Sequence, residues 1–322
     1  MSSTEKSHSS PLRWLLDLLM VLTVLPLLAM VIFCVILSHK IFHPPRKTGL
    51  RPPNTSLQLE SVQLSTLDGL MLAAWLVQHP APKGCVVICH EWGSHKATKL
   101  KYAEFLYEAG YESVLFDLRN HGDSNIDKAW GDMSRRYTDD LETVITYVSA
   151  HPSLRLRPIA VLSFSFSTFP AMHCLAHRQP AKLTALVFDS GPTLSERELA
   201  KNFLNSVGRI YFPAWLRGPI LFPLAANLAE RFVSYFLHVD WPPPITPLNR
   251  PMLFICGGGD DIAPLAAIQP LASQVPLGEL WVVPESPHLL SFKVAPLDYR
   301  KRVIDFLNRA CLAGIATSKR EA

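Results

Sequence analysis

The hydrophobic rhythm of the chain changes several times, and each change marks a different kind of element. From Leu18 to Leu37, "LLMVLTVLPLLAMVIFCVIL", twenty residues carry no charge and show no polar face. That is the length an α-helix needs to cross the hydrocarbon core of a bilayer. A signal peptide has a shorter apolar centre and a small-residue cleavage site, whereas this run continues into "SHKIFHPPRK" without one. A buried core helix keeps a polar face. The run is therefore expected to be a membrane anchor in which Pro26 is tolerated.

The Pro-rich, basic stretch "HPPRKTGLRPPN" (His43 to Asn54) predicts a stiff, extended linker. Beyond it, "LQLESVQLSTLDGLMLAAWLV" alternates apolar and polar positions around Asp68-Gly69, which predicts a β-hairpin with a tight turn. The period then changes again. Short, almost wholly apolar runs recur: "CVVICH" at Cys85, "SVLFDLR" at Ser113, "IAVLSFS" at Ile159, "TALVFDSG" at Thr184, "MLFICGGG" at Met252 and "LWVVPES" at Leu280. Segments with helical spacing, such as "TKLKYAEFLYEAG" and "TDDLETVITYVSAHP", separate them. Strands apolar on both faces, alternating with helices, predict an α/β fold: a mostly parallel sheet covered by helices on both sides.

One stretch breaks this alternation. From about Leu194 to Arg250 there is no strand signal, only apolar and aromatic residues at helical spacing, among them Phe203, Tyr211, Phe212, Trp215 and Phe222, ending in "WPPPITP". It predicts a helical cap over one end of the sheet. The resulting divisions are a polar tail over 1–13, an anchor over 14–38, a linker over 39–56, a core over 57–193 and 251–314, and a cap over 194–250.

Charge and cysteine content adjust this picture only slightly. The net charge of +4 in 322 residues is largely accounted for by the flanks of the anchor, and nothing in it suggests nucleic acid. Lys6 and Arg13 precede the apolar run while Lys40, Arg46, Lys47 and Arg51 follow it, a bias that favours a cytoplasmic domain after the anchor. The six cysteines, Cys34, Cys85, Cys89, Cys174, Cys256 and Cys311, lie in apolar runs without framework spacing and read as buried thiols. Cys85 and Cys89 share one strand about 13 Å apart, too far to bridge.

Ligands of open parallel sheets bind beyond the carboxyl ends of the strands, so polar residues closing the apolar runs are the candidates for chemistry. Ser165 closes "IAVLSFS", Asp260 follows "MLFICGGG", and His288 follows "LWVVPESP". Their order is nucleophile, acid, histidine. "TLDGLMLAAW", "CHEWGS", "FDLRNHGDS", "GGGDDIAP" and "ESPHLLSF" stand in the order of the first hairpin, the loops after the third and fourth strands, and the acid and histidine loops of the α/β-hydrolase family. The chain resembles that family from about Leu57 to Leu312, as a membrane-anchored serine esterase or lipase-like member.

The nucleophile elbow departs from the family pattern, because Ser163 and Ser167 occupy the two positions where the family has glycine. Glycine is used there because the serine sits on a strained turn packed closely by backbone. Serine adds only a hydroxymethyl group, and its hydroxyl can bond to nearby backbone. Of the three serines, Ser165 stands at the apex, where strand becomes helix.

The resemblance implies a mechanism in which His288 takes the Ser165 proton while a carboxylate fixes the imidazole tautomer. Asp260 is the expected carboxylate, with Asp261 one residue on and Asp189 at the end of the preceding strand as rivals. The oxyanion donors implied are the backbone N–H groups of Phe166 and Trp92, although Glu91 replaces the usual glycine of that loop. His90 and His95 of "HEWGSH" have the wrong spacing for a zinc helix and are expected to shape this loop, and "GGGDD" lacks the lysine and hydroxyl of a phosphate loop. No metal or cofactor is implied. Asp117, Arg119 and His121 are expected to lock a turn.

The expected activity is hydrolysis of carboxylic esters or thioesters of apolar acyl groups, on a small-molecule or lipid substrate, through an acyl-enzyme. Amide or peptide hydrolysis on the same fold, and a hydrolase-fold binding protein without activity, are the alternatives.

Overall fold

The computed structural model describes residues 11–49, 55–155, 157–245 and 248–321. Residues 1–10 of the expected polar tail and residues 50–54 of the expected linker lie outside the described residues. A single helix, α1 (Pro11–Phe42), opens the chain. The hairpin β1 (Glu60–Ser65) and β2 (Met71–Val77) follows, then β3 (Cys85–Cys89), α2 (Leu100–Glu108), β4 (Glu112–Phe116), α3 (Met133–Ala150), β5 (Ile159–Phe164), α4 (Thr168–Arg178) and β6 (Leu183–Asp189). Two helices, α5 (Glu196–Tyr211) and α6 (Leu221–Leu237), intervene before β7 (Met252–Gly257). The chain then continues through α7 (Leu265–Ala272), β8 (Gly278–Val283), α8 (Ser291–Val294) and α9 (Pro296–Glu321).

The eight strands form one sheet in the order β1-β2-β4-β3-β5-β6-β7-β8. β1, β2 and β4 pair antiparallel, and from β4 onward every pairing is parallel. Every residue of β3, β4, β5 and β7 is buried, as expected for strands covered on both faces. Side-chain alternation divides the core in two. Cys85, Val87 and Cys89 of β3 face α3, α4 and α7, while Val86 and Ile88 face α2 and α9. This is the α/β-hydrolase fold with a helical insertion, and all six cysteines are free and buried in it.

Helix α1 runs four residues beyond the expected boundary of the anchor, so that His39 to Phe42 are helical rather than linker. The physical reason lies at its end. The last carbonyls of a helix have no partner within it, and here the body supplies them: the Trp92 indole donates to the Ile41 carbonyl, while Asn120 Nδ2 (2.9 Å) and the Tyr137 hydroxyl (3.3 Å) donate to that of Phe42. A stripe of Met30, Cys34, Leu37, Ser38 and Phe42 is buried, whereas the large apolar side chains from Leu12 to Leu28 are exposed. The stripe packs on Ala225, Ala226 and Ala229 of α6, whose small side chains allow the close approach. The Ser38 hydroxyl donates to the Ala229 carbonyl at 3.1 Å. One helix, α1, is long and apolar enough to cross a membrane among those described.

Candidate active site

Because β5, β6, β7 and β8 are parallel, their carboxyl ends share one edge, and the candidate residues gather there. Ser165 follows β5 directly and has φ of +48°, a left-handed conformation that costs a non-glycine residue free energy and recurs at functional turns. Its Oγ lies 2.7 Å from His288 Nε2. His288 Nδ1 lies 2.7 Å from Asp260 Oδ2. The carboxylate makes Nδ1 the protonated nitrogen, so Nε2 is left to accept the Ser165 proton. Asp260 Oδ1 accepts the N–H groups of Ile262 (3.0 Å) and Ala263 (2.8 Å), which fixes the rotation of the carboxylate.

The two rivals for the acid lie elsewhere. Asp261 is exposed. Asp189 is fully buried and accepts the hydroxyls of Tyr299 (2.9 Å) and Ser190 (3.0 Å), and burial pushes its carboxyl up to about 6 despite those two donors. The Ser190 hydroxyl also accepts the N–H of Leu289 at 2.9 Å. Asp189 thus supports the loop next to His288 without touching the imidazole. Ser190 carried no signal in the sequence, since its link to Leu289 spans 99 positions of the chain.

The acid and histidine loops meet backbone to backbone. Gly258 N–H donates to the Val283 carbonyl (2.8 Å) and Gly259 N–H to that of Ser286 (3.0 Å). A Cβ on Gly257 would fall 2.2 Å from the Ser286 carbonyl oxygen, so only glycine fits there.

The two serines in place of glycines differ in what they do. Ser167 Oγ accepts the Phe164 N–H (2.9 Å) and reaches the Cys89 carbonyl (2.9 Å), and Ser163 Oγ lies 3.4 Å from the Val187 carbonyl, at the margin of bonding.

Both expected oxyanion donors border the same cleft as Ser165 and His288. Phe166 lies in the first turn after β5, where an N–H has no helical acceptor, and neither its N–H nor that of Trp92 bonds to another described residue. The loop is held by His90, whose Nδ1 donates to the Glu91 carbonyl (2.7 Å) and whose Nε2 accepts the Leu118 N–H (3.1 Å). Glu91, in the family's glycine position, pairs with Lys99. Burial raises the Glu91 carboxyl, but Lys99 outweighs it and holds the group below its ordinary range. Asp117 and Arg119 are taken up in buried ion pairs, Asp117 with Lys96 and Arg119 with Asp68, Asp127 and Asp140, and His121 Nδ1 bonds to the Arg119 carbonyl (2.9 Å). Among the described residues no cluster of histidine, cysteine and carboxylate side chains is arranged to hold a metal.

The cleft has a cavity volume of about 150 Å³ and is walled mostly by apolar side chains, including Phe166, Phe169, Phe203, Val233 and Leu237. Ile41 and Phe42, the end of the apolar helix, form part of the wall. Nothing in the local sequence pattern placed them at the site.

Comparison with known proteins agrees with this architecture. Residues 80–234 match the model of the family described as serine aminopeptidase, S33. A solved esterase of Pyrococcus furiosus superposes with a TM-score of 0.67 at 22% identity, covering 85% of this chain and 99% of that one. This likeness shows the α/β-hydrolase fold. The α/β hydrolase GrgF of a Penicillium species is a further structural neighbour, with a TM-score of 0.64, 19% identity, and coverage of 80% and 100%. An uncharacterized protein of Mycobacterium tuberculosis is 25% identical over 225 residues, 69% of either chain.

Proposed function

We propose that this chain is a membrane-anchored serine hydrolase of the α/β-hydrolase superfamily that cleaves carboxylic esters or thioesters of apolar acyl groups through an acyl-enzyme. The observation that carries the reading is the continuous relay from Ser165 Oγ through the His288 ring to Asp260, 2.7 Å at each step, at the mouth of an apolar cleft. As His288 Nε2 takes the hydroxyl proton, Oγ forms a bond to the acyl carbon, and the carbonyl electrons move onto its oxygen. That oxyanion is met by the N–H groups of Phe166 and Trp92, and the loss of one such donor typically costs about 100- to 1000-fold in rate. His288 then returns the proton to the leaving alcohol or thiol. Water, deprotonated by the same imidazole, releases the acid and restores Ser165.

The anchor is supported by the exposed apolar residues of α1 before Met30 and by the fact that its last turn walls the cleft. A leader removed by cleavage would take that wall away. The positive residues after the apolar run favour a cytoplasmic catalytic body, which protease protection of sealed vesicles tests.

One observation favours amide hydrolysis as the second reading. Glu196 lines the cleft, with its carboxyl raised by burial, and offers a partner for a substrate ammonium.

A fluorophosphonate probe is expected to label the wild type and not Ser165→Ala. Labelling that survives the substitution removes Ser165 as nucleophile. An unlabelled wild type favours an inactive binding protein, while faster turnover of alanine nitroanilide than of octanoyl nitrophenyl ester favours the amidase.

A further inference from the structure

A second cavity adjoins the cleft. It has a cavity volume of about 260 Å³ and lies between the end of α1 and the end of α5, with Leu37, Lys40 and Pro45 on one side and Leu204, Tyr211 and Phe212 on the other. Ile41, Trp92 and Phe203 line both spaces and form the partition between them. The partition is ordered: the Trp92 ring meets Phe203 edge-on with centroids 4.9 Å apart, and its indole N–H is tied to the Ile41 carbonyl. Its lining is apolar apart from Lys40 and His43 at the end of α1, and the catalytic relay makes no use of it.

Its position relative to the apolar layer follows from α1. Cys34 Sγ reaches the Ala225 carbonyl and Ser38 Oγ the Ala229 carbonyl, so α6 runs parallel to α1 in step with it. The residues just before Ala225 therefore extend along α1 toward its N-terminal side. There Trp215, Ile220, Leu221 and Leu224 are exposed, Ile220 by 74% and Leu224 by 53%. These apolar side chains lie level with the uncharged run that ends at Leu37, as expected of a surface that dips into the acyl layer. The second cavity, bounded by Leu37 and Lys40, sits where α1 leaves that layer. Lys40 there can keep its stem in apolar surroundings and its ammonium at headgroup level.

We propose that this second cavity is the acyl-tail site through which a membrane lipid reaches Ser165, with Trp92 and Phe203 as the partition that sets chain length. The inference rests on the serine hydrolase reading and adds the substrate class, a long-chain lipid ester taken from the bilayer, and the residues that select it. The scissile carbonyl lies in the first space beside Ser165 while the tail passes Phe203 into the second.

The full chain in phosphatidylcholine vesicles, treated with butyl, octyl and hexadecyl fluorophosphonates, tests this. In the wild type the labelling rate is expected to rise from butyl through octyl to hexadecyl; a rate that falls beyond octyl overturns the inference. Leu204→Trp fills the second cavity and is expected to lower the hexadecyl-to-butyl ratio about tenfold, whereas Phe203→Ala opens the partition and is expected to raise it by a similar factor. Ratios within about twofold of wild type in the variants that still take the butyl probe also overturn it. An unlabelled wild type sinks the serine hydrolase reading itself. Butyl labelling with an indifferent chain-length profile sinks only the tail site.

Discussion

Ser167 Oγ lies 2.9 Å from the carbonyl oxygen of Cys89, so the residue after the elbow is tied to the neighbouring strand β3. The same oxygen accepts the N–H of Phe164 at 2.9 Å. A position that the family fills with glycine has become a small hydrogen-bonded clamp, and the strained Ser165 turn is held from one side by it. Ser167→Ala takes a hydrogen-bond partner from each of these two buried backbone groups, and denaturant unfolding is expected to record a loss of about 1–3 kcal/mol. Ser163→Ala removes only a marginal contact and is expected to cost less than Ser167→Ala in the same titration.

Asp260→Asn keeps the shape of the relay but lets the imidazole take the wrong tautomer. Ester turnover is expected to drop about 10⁴-fold in kcat, as loss of the orienting charge does in serine hydrolases. Asp261→Asn, at an exposed side chain, is expected to stay within about twofold of wild type. Equal losses in the two variants would remove Asp260 from its role.

Asp189 makes stability depend on pH in a direction opposite to that of an ordinary surface carboxylate. Its carboxyl, raised by burial to about 6, holds a proton in the folded chain that the unfolded chain has already released above its ordinary value near 4. The folded state therefore binds more protons in this window, and stability falls as pH rises from about 4 to about 6, then levels off. Two pKa units correspond to about 3 kcal/mol. The stability of wild type relative to Asp189→Asn is expected to decline by up to about that amount between pH 4 and pH 7, read from denaturation midpoints in detergent. A difference that is flat with pH would show that the carboxyl titrates normally.

The contact of α1 with α6 depends on small residues. Ala229→Leu forces a branched side chain against the buried stripe of α1, and overpacking of this kind costs about 1–3 kcal/mol. Thermal unfolding in micelles is expected to show the loss, and Ala229→Gly, which adds no bulk, is expected not to separate the two helices.

Much of the molecule was legible in the chain because its signals were local. Period-two alternation gave the hairpin around Asp68-Gly69, and the wholly apolar runs gave six strands, each beginning within a few residues of the start of β3 to β8. The gathering of the candidates Ser165, Asp260 and His288 was legible because each closes an apolar run, and parallel strands bring such ends to one edge. The roles of Ile41 and Phe42 were not legible. They follow the apolar run and precede a Pro-rich stretch, and only contacts with Trp92, Asn120 and Tyr137, fifty to almost a hundred residues away, make them helix cap and cleft wall. Ser190 escaped for the same reason, because its bond to the Leu289 N–H joins segments 99 residues apart.

The capped end of α1 makes the helix a bracket rather than a leash. With the Ile41 and Phe42 carbonyls held by side chains of the body, the body cannot swivel independently of the helix that carries it. At 1.5 Å per residue, the five steps from Leu37 to Phe42 fix the cleft beside Ser165 about 7 Å beyond the uncharged run. If the proposed anchor and activity hold, a lipid would need to rise only that far, along a path whose length and tilt are built into the fold, so that reach rather than diffusion of a free body would decide which esters are cut.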